Sequence, residues 1–153
     1  MKAQYDSPIV LLGSRLLSPY IMLFGIYVIF HGHYSPGGGF QGGALLAASV
    51  ILIRIAGGSR VAELQIREFM TTPMAAIGVL VYFATGAVAV MMGSYFLDYE
   101  ALPFPGGLDP AGLRYYGILS IEIGIGIAVM AILVMIYDHM VEGEDMEEGE
   151  DHD

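Results

Sequence analysis

Between residues 16 and 53 the chain carries no Asp, Glu, Lys or Arg, and residues 69–97 are equally free of them. Residues 115–137 hold only one, Glu122. A soluble fold needs polar side chains over most of its surface to stay dispersed, and three such stretches leave too few. Lipid is the solvent that suits them. Composition agrees: 56% of the 153 residues are hydrophobic and 14% charged, against about 25% charged in ordinary soluble domains. The length suits one compact unit rather than two.

The formal charge of −10 is not a global acidic field. Nine of the sixteen acidic residues (Asp138, Glu142, Glu144, Asp145, Glu147, Glu148, Glu150, Asp151 and Asp153) crowd the last stretch of chain. The remainder is close to neutral, which argues against nucleic acid as a partner. With no cysteine, disulfides, thiolate metal sites and Cys nucleophiles are excluded. Phosphate-binding, zinc and nucleophile motifs are also lacking, so no catalytic residue, metal site or cofactor is expected. The first thirty residues loosely resemble a secretory signal. Asp6, Arg15 and the lack of a small-x-small site before His31 argue instead for a retained first span.

A helix needs about 20 apolar residues to cross a bilayer. Four segments qualify, at about 8–30, 36–56, 73–96 and 113–137. Thr71 or Thr72 suits the cap of the third, with Pro73 in its first turn. Tyr115, Tyr116 and Tyr137 stand at the ends of the fourth, where aromatic rings favour the interface. Four spans put both termini on one side. Lys2, Arg15, Arg54, Arg60 and Arg67 fall on that side and Arg114 opposite, so the termini are expected in the cytoplasm. Arg15 and Arg54 read as interface anchors. Ala62, Ile66, Phe69 and Met70 recur at helical spacing and predict a short interfacial helix before the third span. Residues 98–112, rich in Pro and Gly, predict an irregular turn. The expected fold is therefore all-α: a polytopic membrane helical bundle over residues 1–138, followed by a flexible acidic cytoplasmic tail at 139–153.

Two features carry chemistry. The first is the string His31-Gly32-His33-Tyr34-Ser35-Pro36-Gly37-Gly38-Gly39-Phe40-Gln41-Gly42-Gly43. Ser35 suits a helix cap and Pro36 a first turn. Gly38 with Gly42, and Gly39 with Gly43, form small-xxx-small pairs at which another helix comes within backbone distance. Gly37, Gly38, Gly39, Gly42 and Gly43 are thus helix-packing candidates; a sharper reading has them admit water or an ion. His31 and His33 do not share a helix face and lack further ligands for a metal. They read as interfacial hydrogen-bonding residues or as proton-relay candidates, since imidazole titrates near neutrality. The second feature is Glu122, between Ile121 and Ile123. An acid inside a span costs several kcal/mol unless it is protonated, paired or hydrated, so it must face protein or water. It is either a proton or cation relay site or a structural partner of another helix. Gly126, one turn on, promises room beside it.

The glycine string resembles the hallmark of the MnhB/MrpB subunit family of multisubunit Na+/H+ antiporters, a family with related subunits in archaeal membrane-bound hydrogenase and sulfur-reductase complexes. Ser7-Pro8-Ile9-Val10, the stretch 52–58, and Ser120-Ile121-Glu122-Ile123-Gly124 extend the resemblance to about residues 7–138. The resemblance implies a non-catalytic subunit in the cell membrane. Its partners would be other Mrp-type antiporter subunits and, in redox-driven versions, hydrogenase-like or sulfur-reductase-like subunits. It would help to form the path for Na+ and protons, with Glu122, His31 and His33 as ion-path candidates. The alternative is a purely structural assembly subunit, and the acidic tail lies outside the pattern.

Overall fold

A backbone in lipid must satisfy its hydrogen bonds within itself, and the helix is the form in which one segment does so alone. The computed structural model describes residues 7–32, 34, 36–58, 66–104, 107 and 109–150, without the side chains of 68 and 143–150. It contains four long helices: α1 (Pro8–His31), α2 (Gly39–Gly57), α3 (Glu68–Met91) and α4 (Pro110–Glu150). A single 3-10 turn, Tyr99–Ala101, lies between the last two. All four helices are long and apolar enough to cross a membrane.

The helices stand in a row, α1 against α2, α2 against α4, and α4 against α3, with only light contact between α1 and α4. The inner pair is the more enclosed. Half of the apolar window of α2 and 39% of that of α4 are buried, against 17% for α1 and α3. Hydrophobicity does not drive such contacts in lipid, so close packing must. Each seam contains a glycine pair. A methyl group on Gly25 would lie 3.1 Å from the Gly42 carbonyl, one on Gly43 2.7 Å from that of Gly126, and one on Gly78 2.5 Å from that of Gly124. The core proper gathers Ile29, Leu46, Ala47, Val50, Met130 and Val134 where α1, α2 and α4 meet.

Helix ends differ from the sequence expectation in ways that have physical causes. The second helix is capped by Gly38 at φ 145°, not by Ser35, and Pro36 lies outside it; such a φ is open only to glycine. Ser35 itself is outside the described residues. The third helix starts at Glu68, so Pro73 is inside it and Thr71, 1% exposed, is a buried packing residue rather than a cap. It also stops earlier, at Met91. There Gly93 (φ 86°) donates to Val90 and Ser94 to Ala89, the bond pattern of a Schellman cap. The chain then folds back, and Phe96 covers Gly86 and meets Tyr82 edge-on, with ring centroids 6.4 Å apart. Most of the expected interfacial helix falls on residues 59–65, outside the described residues; Phe69 and Met70 belong to α3 itself.

The fourth helix does not end at Tyr137. Its 41 residues make a rod of about 60 Å, twice the roughly 30 Å of a hydrocarbon core. Glu and Met, which fill most of the acidic run to Glu150, are good helix formers, so the backbone there continues as helix instead of a flexible tail.

Candidate functional site

Gly39 lets α4 come close. A Cβ at this position would collide with the Glu122 carbonyl and lie 3.0 Å from the Glu122 Cα. The approach aims the Glu122 side chain at the connection between α1 and α2. There a Cβ on Gly32 would meet both carboxylate oxygens, and one on Gly38 would lie 3.2 Å from Oε1. Gly32 and Gly38 therefore form a cradle for the carboxylate that any side chain would fill, Gly39 seats the Glu122 main chain beside it, and Oε2 of Glu122 is buried. The cradle opens at the first turn of α2, whose amides carry the positive end of the helix dipole. A carboxylate in that place gains about 0.3–1 kcal/mol, or up to about 2 when partly buried.

The two features that the sequence singled out are thus one site. The glycines divide between two tasks: Gly32 and Gly38 border the carboxylate and Gly39 its main chain, while Gly42 and Gly43 take neighbouring helices. Ile29 of α1 packs on Gly42, and Gly126 of α4 packs on Gly43. Gly37 is half-buried beside the cradle. Gly126 leaves no open space for water; Ile29 Cδ1 would be 2.7 Å from a methyl group there. His31 ends α1 with its ring stacked on Tyr27, centroids 4.1 Å apart, and its Nδ1 3.2 Å from the Tyr27 carbonyl. His33 lies outside the described residues. Among the described residues no cluster of three His, Cys, Asp or Glu could hold a metal ion.

Sixteen residues further along α4 lies a group that sequence reasoning missed. Asp138 forms an ion pair with Arg54 Nη1, and Arg54 Nη2 donates to the Ile66 carbonyl at 2.8 Å. Arg54 is 2% exposed. It is not the interface anchor its position suggested, and Asp138 is not part of a solvated tail. The available signal was spacing. Glu122, Gly126, Met130, Val134 and Asp138 recur every four residues, one ridge of α4. Glu122 lies against Gly39, Gly126 against Gly43 and Asp138 against Arg54, with Met130 and Val134 sharing the core with Ala47 and Val50 between them, so the two helices run parallel.

Four apolar helices long enough to cross a bilayer, with a carboxyl group held in a glycine cradle beside the inner pair, make this a polytopic helical membrane protein. Residues 9–135 match the family described as a domain related to the MnhB subunit of Na+/H+ antiporter, and the chain belongs to this family. It is 33% identical over 132 residues to a protein of Methanocaldococcus jannaschii, covering 82% of this chain and 48% of that one. A Na+/H+ antiporter subunit from Alkalihalophilus pseudofirmus is 30% identical over 131 residues, 83% of this chain and 90% of its own length. A chain of the membrane-bound sulfane sulfur reductase, an archaeal respiratory membrane complex, superposes with a TM-score of 0.70 at 32% identity. That match covers 91% of this chain and 60% of the other. The chain thus spans about half of the first relative and less than two thirds of the reductase chain.

Proposed function

We propose that this chain is a non-catalytic subunit of an Mrp-type cation/proton antiporter module, either standing alone or built into a membrane-bound respiratory complex. Its partners are then the other antiporter subunits and, in the second case, reductase-like or hydrogenase-like ones. The family membership supports the module, and the antiporter and respiratory relatives support both settings. The distribution of Lys and Arg supports cytoplasmic termini.

Within that module Glu122 is the residue that takes up and releases a proton or cation. The observation that carries this reading is the cradle: Gly32 just after α1 and Gly38 just before α2 leave a carboxyl group room at the α1–α2 connection. Along the α2–α4 seam beyond it, Ala47, Val50, Met130 and Val134 are all less than 9% exposed and form a dry plug. An ion at Glu122 therefore does not continue along this seam; its onward path runs to a neighbouring subunit. His31, exposed at the end of α1, is the candidate for exchange with water on that side.

Replacing Glu122 by Gln keeps the shape of the side chain and removes its charge. The complex is expected to assemble normally and to lose at least ten-fold in sodium-dependent proton exchange, measured in everted vesicles. Full exchange by a normally assembled complex would overturn the relay and leave an assembly role.

A further inference from the structure

We propose that the buried Arg54–Asp138 pair is a positioning device: it fixes the axial register of α4 against α2 and thereby seats Glu122 in its glycine cradle. The cradle and the ion pair lie at opposite ends of one ridge. Glu122 and Asp138 are separated by about 24 Å of helix, and the contacts between them involve Gly126, Met130 and Val134 against Gly43, Ala47 and Val50. Small surfaces of this kind let backbones approach, and the aliphatic contacts beyond Gly43 add packing without a polar requirement that would mark one axial position. A slip of one helical turn, about 5.4 Å, would bring Ala47 or Met130 to a close glycine contact while leaving apolar against apolar along the rest of this seam. It would strand Arg54 without a counter-charge inside the protein.

The geometry of the pair suits specification better than stabilisation. Burying two charges costs several kcal/mol per ion unless all their donors and acceptors are met. Among the described residues, Arg54 Nε and Asp138 Oδ2 are buried without a hydrogen-bond partner. Half-satisfied pairs of this type are poor sources of stability, and their best-attested use is to set register. Arg54 also holds the Ile66 carbonyl, so the same guanidinium fixes the entry into α3. Half-buried Tyr137 is next to Asp138 on α4, and the other nearby titratable groups on that helix are His139 and Glu142. The latter two are exposed, and His139 directs Nδ1 to the Met135 carbonyl at 2.9 Å.

The seating of Glu122 is measurable without reference to transport, so the test stands apart from the proposed relay. In native membranes containing the whole complex, covalent labelling of Glu122 by dicyclohexylcarbodiimide is followed by mass spectrometry, with Glu122→Gln as background. In its cradle the carboxyl is flanked by the backbone of Gly32 and Gly38 and should label slowly. Asp138→Asn and Arg54→Gln should each raise the initial labelling rate at least three-fold, and the exchange Arg54→Asp/Asp138→Arg should return it towards wild type. Val134→Ala, which loosens the same seam without removing a charge, should leave the rate within about 1.5-fold. Unchanged labelling in the two single variants overturns the proposal. So does an equal rise in Val134→Ala, which would make the pair one packing contact among others, whether or not the exchanged pair assembles.

Discussion

The two ends of the α2–α4 seam solve opposite problems. At the Glu122 end, space is made by leaving side chains out: Gly32, Gly38 and Gly39 contribute backbone alone, and an acid fills the gap. At the Asp138 end, space is filled: Arg54, a residue 2% exposed, reaches from Asp138 of α4 to the carbonyl before α3. The first end should fail when atoms are added and the second when charge is removed. An ionisable group in a membrane protein can therefore be kept adaptable by a bare surround or held in place by a full one.

The harshest way to break this contrast is to add atoms at the bare end. Gly39→Leu drives a side chain into the α4 backbone at Glu122, where nothing flexible can give way. Recovery of the assembled complex in mild detergent should fall more than ten-fold. Normal recovery would mean that α4 does not lie against Gly39 in the membrane. Gly38→Ala is the milder version. Its Cβ meets a carboxylate oxygen at 3.2 Å, and its φ of 145° is foreign to alanine. Such backbone strain costs about 1–3 kcal/mol. The expected result is an assembled but less heat-stable complex with impaired exchange.

At the filled end the prediction concerns sign. Removing one partner leaves a buried charge uncompensated, at a cost of about 3–5 kcal/mol, whereas replacing both by apolar residues of similar volume is often neutral. Arg54→Met alone should therefore lower the thermal midpoint of the purified complex clearly, and Arg54→Met/Asp138→Leu should recover most of the loss. If the double variant is as unstable as the single, the pair stabilises the bundle outright and is no mere register device. A hydrogen bond between the outer and inner helices gives a smaller scale for comparison. Ser18 Oγ donates to the Ser49 carbonyl at 3.0 Å; buried bonds between membrane helices average about 0.6 kcal/mol. Ser18→Ala should shift the midpoint by no more than a degree or two.

The spans were legible because lipid demands long uncharged runs, and the four expected segments fall on the four helices. The glycine string and Glu122 were each visible, but not their union. Gly39 and Glu122 are far apart in sequence, and periodicity along one helix does not name the helix it meets. The cap of α2 differs from the local expectation for a related reason. Ser35 and Pro36 are good local signals, but the helix starts where α4 needs bare backbone, at Gly38 and Gly39. Asp138 was hidden by its neighbours: read together with the acidic run after it, it looks solvated. Only the four-residue step from Glu122 through Val134 sets it apart. Arg54 is one of several basic residues on its side of the membrane, and its place in the chain alone suggests an interface anchor. Its burial depends on what α4 brings to it.

A second Arg–carboxylate pair lets the contrast be sharpened at its weakest point. Arg114 pairs with Glu100 at the turn before α4, with side chains 63% and 40% exposed, against 3% and 14% for Arg54 and Asp138. The chemistry is the same and the surroundings differ. Exposed pairs are screened by water and salt and contribute about 0–1 kcal/mol. Arg114→Gln should accordingly leave assembly, exchange and thermal midpoint unchanged within error. It should not disturb topology either, since Arg114 is the one basic residue on its side, and its loss increases the asymmetry that orients the chain. An effect as large as that of Arg54→Met would show that burial is not what separates the two arginines. The difference would then have to be sought in what each helix end touches outside this subunit.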